Sequence, residues 1–263
     1  MSSLPPFILA ADHRVPFVGR DPAKVGQFKQ LLVRALARVR AGDPRARAGS
    51  GMLLDPIFGA GAIALAREEG IPVGQPLEVA GQMPLAWNKG GPEAVAAAGV
   101  AFGKVLIRVP EQDGESHLVH GAKLVDAALE VFDTANRPLV VELVFEGEAD
   151  PVAASARAIE RWAGKRVPTR WKLYGTGDAT TLDRLVSVAP PGSEFHILGA
   201  GEPLETLGRW FTALRGKSAF KGFAIGRSIF WECFEGWSRG ALDEEGAISQ
   251  VAERYRRVLA LWP

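Results

Sequence analysis

A lysine with apolar neighbours stands in residues 170–175, whose sequence is RWKLYG. The segment is typical of a short strand. Side chains alternate across a strand, so Trp171 and Leu173 share one face while Lys172 points the other way. Burying a charged lysine inside a fold costs hydration free energy. An ion pair offsets this cost, and loss of the proton avoids it. Lys172 is therefore either half of a structural salt bridge or an amine that could act as a nucleophile.

Charged side chains also stand at or near the carboxyl ends of other apolar segments. They are Asp12, Arg14, Asp55, Glu78, Lys104, Arg108 and Glu142. One such charge is readily explained by a structural ion pair, but charges inside a barrel must all be mutually satisfied, so the repeated pattern favours a site. A free lysine amine attacks carbonyl groups, and burial beside a second cation, here Lys104, lowers its pKa towards neutrality. Glu142 or Glu78 would then transfer protons during cleavage of a carbon–carbon bond.

Two glycine-containing turns predict a binding site for a phosphate. Gly199 and Gly201 follow one apolar segment, and Gly226 and Arg227 follow the next. Glycine lets backbone N–H groups approach an anion, a helix N-terminus adds partial positive charge, and arginine binds phosphate through paired hydrogen bonds. With Lys172 and its carboxylates, these turns predict Schiff-base chemistry on a phosphorylated ketone.

The elements that must carry these residues alternate between strand and helix. Apolar strand segments are predicted at 7–11, 51–55, 71–78, 103–109, 138–143, 170–175, 194–198 and 221–225. Helical spacing follows seven of them, at 28–39, 60–69, 117–133, 151–162, 180–188, 204–214 and 248–261, with no convincing helix after Glu78. This rhythm predicts one (β/α)8 TIM barrel domain over residues 1–263, with its site at the carboxyl ends of the strands. A doubly wound open sheet is the competing fold, but it would need a glycine-rich turn where Asp12 stands.

Composition restricts the class of partner. The 263 residues include 31 basic and 30 acidic side chains, a net charge of +1 that favours neither nucleic acid nor an anionic membrane. The single cysteine, Cys233, excludes an internal disulfide framework. There is no signal-peptide pattern and no apolar run of the ~18 residues needed to cross a bilayer. We expect a soluble cytoplasmic protein with a small-molecule ligand, and the sequence leaves homo-oligomerisation open.

Metal-dependent aldol chemistry is the alternative mechanism, and it needs histidine or carboxylate ligands around one ion. Among the four histidines only His117 and His120 are closely spaced, and they are typical of surface or helix-cap residues. Asp12, Asp55 and Glu78 could hold an ion, although the nearby lysines oppose one. We expect no metal and no cofactor, and the lack of a Walker-type loop argues against ATP use.

Six segments of the chain resemble an aldolase-like family that is often fused behind 5-dehydro-2-deoxygluconokinase in inositol catabolism. They are residues 10–14 (AADHR), 76–82 (PLEVAGQ), 104–108 (KVLIR), 171–175 (WKLYG), 197–201 (ILGAG) and 222–231 (GFAIGRSIFW). The similarity runs over nearly the whole chain, and 226–231 is its most specific part. The family is more distantly similar to the class I tagatose-bisphosphate and sulfofructose-phosphate aldolases, which are (β/α)8 barrels.

The resemblance implies a lyase that cleaves 2-deoxy-5-keto-gluconate 6-phosphate or a related keto-sugar phosphate. Lys172 falls at the position of the Schiff-base lysine and Glu142 at that of the proton-transferring glutamate. Lys104 and Glu78 match supporting residues of the family, Asp12 matches its strand-one aspartate, and Arg227 matches its phosphate-binding arginine. We also expect Arg14, Arg108 and Gln82 to contact the substrate or its phosphate.

The chain departs from the family pattern at Tyr174, where the family usually has a glutamate. A barrel that binds a sugar phosphate without turnover is therefore a second interpretation, and a metal-dependent lyase is a third.

Overall fold

Eight parallel strands close into a barrel, with neighbours in chain order, in the computed structural model, which describes residues 4–162 and 164–263. The strands are β1 (Phe7–Ala11), β2 (Ser50–Leu54), β3 (Val73–Pro76), β4 (Phe102–Val109), β5 (Leu139–Phe145), β6 (Arg170–Leu173), β7 (Phe195–Leu198) and β8 (Phe220–Ile225). β1 pairs with both β2 and β8, which closes the barrel. The predicted (β/α)8 fold is confirmed.

Helices surround the barrel and connect successive strands. They are α1 (Pro22–Gly42), α2 (Pro44–Gly49), α3 (Pro56–Glu68), α4 (Gly91–Ala97), α5 (Gly114–Thr134), α6 (Pro151–Glu160), α7 (Ala179–Val188), α8 (Leu204–Ala213), α9 (Arg227–Ser238) and α10 (Glu244–Leu261). A 3-10 turn, Val15–Phe17, precedes α1. Within the described ranges, none of these helices is both long and apolar enough to cross a membrane.

A repeated Asp-Pro pair starts four of the helices. Asp21, Asp43, Asp55 and Asp150 each precede the first helical proline, and each carboxylate accepts backbone N–H groups of the first turn. Proline lacks the N–H that would be unsatisfied at this position, and its ring presets the helical backbone. These local signals set where the helices begin.

The prediction was wrong around β3 and after β8. A short helix, α4, does follow β3, after a loop that pairs Glu78 with Trp87 in an isolated antiparallel bridge. The chain is left-handed at Gly90 just before α4, and only one turn or two of helix follows. The sequence predicts a turn at Arg227 because a glycine precedes it, whereas Arg227 begins helix α9 in the structure.

Alternation along β6 places Lys172 on the inner side of the barrel. Trp171 and Leu173 have no exposed surface, and the indole of Trp171 packs edge to face with Trp162, with ring centroids 4.9 Å apart. At the opposite end of the barrel, Tyr255 of α10 donates a hydrogen bond to the Phe7 carbonyl oxygen at 3.0 Å. Helix packing therefore covers the outer face, while the interior holds a small apolar cluster that includes Ile8, Leu53 and Phe102 together with polar side chains such as Lys172.

Candidate active site

Glu142 joins two lysines inside the barrel. Glu142 on β5 and Lys172 on β6 are register partners, and their Oε1 and Nζ atoms lie 2.9 Å apart. The second carboxylate oxygen of Glu142, Oε2, lies 3.3 Å from Nζ of Lys104. Burial alone would raise the pKa of Glu142, but Lys172 and Lys104 outweigh it and hold that pKa below its ordinary value. Glu142 is thus a carboxylate held between two amines.

Lys104 lies at the centre of three carboxylates. Its Nζ is 2.8 Å from Oδ2 of Asp12 and 3.0 Å from Oε1 of Glu78, in addition to its contact with Glu142. Burial opposes the charged amine, but the three carboxylates together raise the pKa of Lys104. Lys104 stands near the start of β4 rather than at its carboxyl end as predicted, and its long side chain extends to the cluster. It is a fixed positive charge.

Asp12 and Glu78 complete this ion cluster. Burial opposes the charge of Asp12, but Lys104 and Lys172 hold the pKa of Asp12 well below its ordinary value. Glu78 lies beyond the end of β3, where its backbone oxygen accepts a 2.9 Å hydrogen bond from Nη2 of Arg14. Oε2 of Glu78 accepts the backbone N–H of Leu106 at 3.2 Å. The three carboxylates thus balance the charges of Arg14, Lys104 and Lys172.

The two glycine turns meet at the mouth of the barrel. Gly201 has a φ of 91°, in the left-handed region that favours glycine. Arg227 at the start of α9 donates from Nη2 to the Ala200 carbonyl oxygen at 3.1 Å, which joins the turn after β7 to the helix after β8. The first backbone N–H groups of a helix lack partners within it, so this end of α9 is suited to an anion.

Gly226 permits a close approach between the ends of β8 and β1. A β-carbon at this position would lie 2.0 Å from the Ala10 carbonyl oxygen and 2.6 Å from Cε1 of His13. Only glycine fits there without displacement of the backbone.

All twelve predicted site residues line one cavity of about 340 Å3 at the carboxyl ends of the strands. They are Asp12, Arg14, Glu78, Gln82, Lys104, Arg108, Glu142, Lys172, Gly199, Gly201, Gly226 and Arg227. Gln82 and Arg227 are exposed at the rim, and Nη1 of Arg108 lies 3.3 Å from Oε1 of Glu146. A second cavity of about 450 Å3, bordered by α5 and α6, contains none of the twelve.

Asp55 has a structural position instead. Its carboxylate is fully buried, forms an ion pair with Lys29 of α1, and accepts the backbone N–H groups of Ile57 and Phe58 at the start of α3. Asp55 does not line the cavity with Asp12 and Glu78.

No three histidine, cysteine or acidic side chains in the described part of the chain are grouped as metal ligands.

Two further polar residues line the cavity but are not among the predicted site residues. His13 stands between Asp12 and Arg14, and burial, aided by Lys172 and Arg227, lowers its pKa to about 4. Burial beside Glu142 raises the pKa of the Tyr174 phenol, so it stays protonated near neutral pH. The sequence signals for His13 are its place between two charged residues after β1 and its position within segment 10–14 (AADHR), which resembles the aldolase-like family.

Comparison with known proteins gives a family and a fold. Residues 5–263 match a family described as "Uncharacterized protein conserved in bacteria (DUF2090)". No curated protein matches the chain. Cgl0159 from Corynebacterium glutamicum is similar in structure, with a TM-score of 0.61 and 19% identity over 97% of this chain and 86% of that one. A Schiff-base-forming fructose-1,6-bisphosphate aldolase is similar with a TM-score of 0.56 and 16% identity over 97% and 94% of the two chains.

Proposed function

The chain belongs to the DUF2090 family, and we propose that it is a class I aldolase that cleaves a phosphorylated keto sugar through a Schiff base on Lys172. One observation carries the proposal: the Lys172 amine lies 2.9 Å from the Glu142 carboxylate at the wall of a cavity that also holds Arg227. Nucleophile and proton acceptor are therefore within hydrogen-bond reach. The structural similarity to a Schiff-base-forming aldolase supports this chemistry.

Schiff-base formation uses Glu142 twice. Lys172 gives a proton to Oε1 of Glu142, and the neutral amine adds to the ketone carbon to form a carbinolamine. Glu142 then returns that proton to the carbinolamine hydroxyl, which leaves as water while the nitrogen lone pair forms the iminium bond. Lys104, held protonated by its carboxylates, keeps the opposite oxygen of Glu142 in place.

Cleavage requires a base for the hydroxyl group on the β-carbon. A carboxylate removes this proton, the bond between the α- and β-carbons breaks, and the electron pair moves to the iminium nitrogen as an aldehyde leaves. Glu142 suits this role better than Glu78, because the side chain of Glu78 is also held by Arg14 and by the Leu106 N–H. The enamine then takes up a proton at carbon, and water releases the ketone and restores Lys172.

The phosphate of the substrate is assigned to the mouth of the barrel. The N-terminus of α9, the turn around Gly201 and the guanidinium of Arg227 supply N–H donors and positive charge there. The sequence segments shared with the aldolase-like family point to 2-deoxy-5-keto-gluconate 6-phosphate. Retro-aldol cleavage of that compound between carbons 3 and 4 leaves dihydroxyacetone phosphate and a three-carbon aldehyde acid.

Borohydride trapping tests the Schiff base. The protein is incubated with dihydroxyacetone phosphate, reduced with borohydride and digested, and the peptides are analysed by mass spectrometry. The adduct is expected on Lys172 and absent from Lys172→Met. Lys221→Met, which removes an exposed lysine of β8, is the matched control and should be labelled like wild type. Full turnover by Lys172→Met would overturn the mechanism.

Two further measurements, made beside the trapping experiment, separate the competing functions. Thermal stabilisation by a sugar phosphate, with no adduct and no triose product, would indicate a binding protein without turnover. Turnover that a chelator abolishes, with no adduct on Lys172, would indicate a metal-dependent lyase.

A further inference from the structure

The histidine after β1 is held in a fixed orientation at the edge of the cavity. The backbone oxygen of His13 accepts a 3.2 Å hydrogen bond from Nζ of Lys29, which is itself paired with the buried Asp55. The ring of His13 packs edge to face against Phe230 of α9, with centroids 5.8 Å apart and an interplanar angle of 73°. Cε1 of the ring lies close to Gly226, where a β-carbon would come within 2.6 Å of it. A side chain packed this closely is oriented before any ligand binds.

Of the two ring nitrogens of His13, Nδ1 is fully buried and Nε2 is not. Nδ1 of His13 is buried without a hydrogen-bond partner among the described residues. The side chain as a whole is partly exposed and lines the cavity. A ligand in the cavity can therefore reach the imidazole through Nε2 and not through Nδ1. A buried lone pair costs less than a buried N–H without an acceptor, so the proton of the neutral ring belongs on Nε2.

The ring of His13 lies near the part of the cavity to which we assign the phosphate of the substrate. Cε1 of His13 faces Gly226, the residue immediately before α9, and Arg227 follows as the first residue of that helix. Lys172 and Arg227 both disfavour a positive charge on His13, whereas Asp12 and Glu142 favour one, and burial decides for the neutral ring. The imidazole is thus a neutral donor beside a cationic arginine.

We propose that His13 donates a hydrogen bond from Nε2–H to the phosphate group of the substrate and so helps select phosphorylated ligands. The choice of a sugar phosphate as ligand rests on the proposed function. The role of His13 concerns binding, however, and requires no Schiff base. A neutral donor adds a directed hydrogen bond without adding charge. The buried charges of the cluster around Lys104 therefore remain balanced when the site is empty.

Two substitutions distinguish the nitrogens. The amide nitrogen of glutamine lies near the position of histidine Nε2, whereas that of asparagine lies near Nδ1. Binding of dihydroxyacetone phosphate is measured by calorimetry for wild type, His13→Gln and His13→Asn. The asparagine variant should bind about tenfold more weakly or worse, since hydrogen bonds to charged groups are among the stronger ones, and the glutamine variant should stay within about threefold of wild type. Dihydroxyacetone, which lacks the phosphate, should show no difference among the three proteins.

Spectroscopy gives a readout that a merely structural histidine would not produce. In protein labelled with 15N-histidine, we expect the resonances of His13 to report the Nε2–H tautomer near neutral pH and to shift when dihydroxyacetone phosphate is added. Equal affinity of the asparagine variant, or a protonated ring at pH 6.5, would overturn the proposal. Borohydride labelling of Lys172 measured in parallel distinguishes this failure from a failure of the aldolase mechanism, because labelling can persist when His13 has no role.

Discussion

Lys172 and Glu142 are register partners on adjacent parallel strands, and their amine and carboxylate meet at 2.9 Å. Register partners in a parallel sheet project to the same side, so backbone hydrogen bonds, rather than a loop, set this geometry. A pair built on rigid strands can hold a nucleophile and its proton acceptor in one arrangement throughout a reaction.

Glu142→Gln should remove the proton acceptor while keeping the shape of the side chain. We expect kcat for sugar-phosphate cleavage to fall by about 10²–10⁴-fold, the range for loss of a positioned acid or base. Glu148→Gln is the matched control, because Glu148 is exposed and its ion-pair partner among the described residues is Arg157, away from the cavity. Steady-state assays of triose phosphate release measure the effect. A kcat within threefold of wild type would show that Glu142 does not transfer the proton.

Arg227→Ala should weaken binding of phosphorylated ligands. Loss of a hydrogen-bonded arginine typically costs about 1.5–3 kcal/mol, which corresponds to roughly a 10–150-fold increase in Kd for dihydroxyacetone phosphate. Arg209→Ala on α8 is the control, since this arginine is exposed and pairs within its own helix. Calorimetry with dihydroxyacetone and with its phosphate separates the contributions. Equal losses for both ligands would argue against a phosphate site at Arg227.

The free energy of unfolding should depend on pH through His13. Its pKa is about 4 in the folded protein and 6.5 ordinarily, so between these values the unfolded chain binds a proton that the folded chain does not. The stability contributed by the neutral ring is present above pH 6.5 and is lost as pH falls towards 4, by at most about 3 kcal/mol. Urea unfolding at several pH values should show a shallower slope in His13→Gln than in wild type. Identical slopes would contradict this burial effect.

Lys29→Met should destabilise the fold more than most surface substitutions. It leaves the Asp55 carboxylate buried without its cation, which typically costs about 3–5 kcal/mol. Adding Asp55→Asn removes that charge and retains an oxygen for the start of α3, so the double variant should recover part of the loss. Urea unfolding of the two variants measures the difference. A double variant no more stable than Lys29→Met would show that the unpaired charge is not the cause.

The fold was predictable because its signals are local. Runs such as 7–11 (FILAA) are continuously apolar, as buried parallel strands are, and Asp-Pro pairs mark four helix starts. The two wrong regions lack such signals. Helix α4 is one or two turns long and begins after a left-handed Gly90, and α9 begins directly after Gly226. In both places glycine indicates a turn, whereas packing against neighbouring helices, α5 for α4 and α1 and α10 for α9, favours a helix.

The residues that line the cavity could be named in advance because parallel strands end at one rim of the barrel. Asp12, Lys104, Glu142 and Lys172 were all selected by their charge within apolar segments. Asp55 has the same local pattern, yet Lys29 from α1 makes it structural. His13 has almost no local signal, and it enters the site because Phe230 and Gly226 confine its ring.

Periodicity and residue type are local properties, so they were enough to predict the alternation of strands and helices, the barrel and the charged side chains of its cavity. The pairing of those charges depends on the fold: Glu142 lies between Lys172 and Lys104, while Asp55 pairs with Lys29. A buried charge is stabilised by whichever opposite charge lies within about 4 Å, and strands distant in the chain set that distance. The lysine in RWKLYG could be identified from its neighbours, but its carboxylate partner depends on the register between β5 and β6.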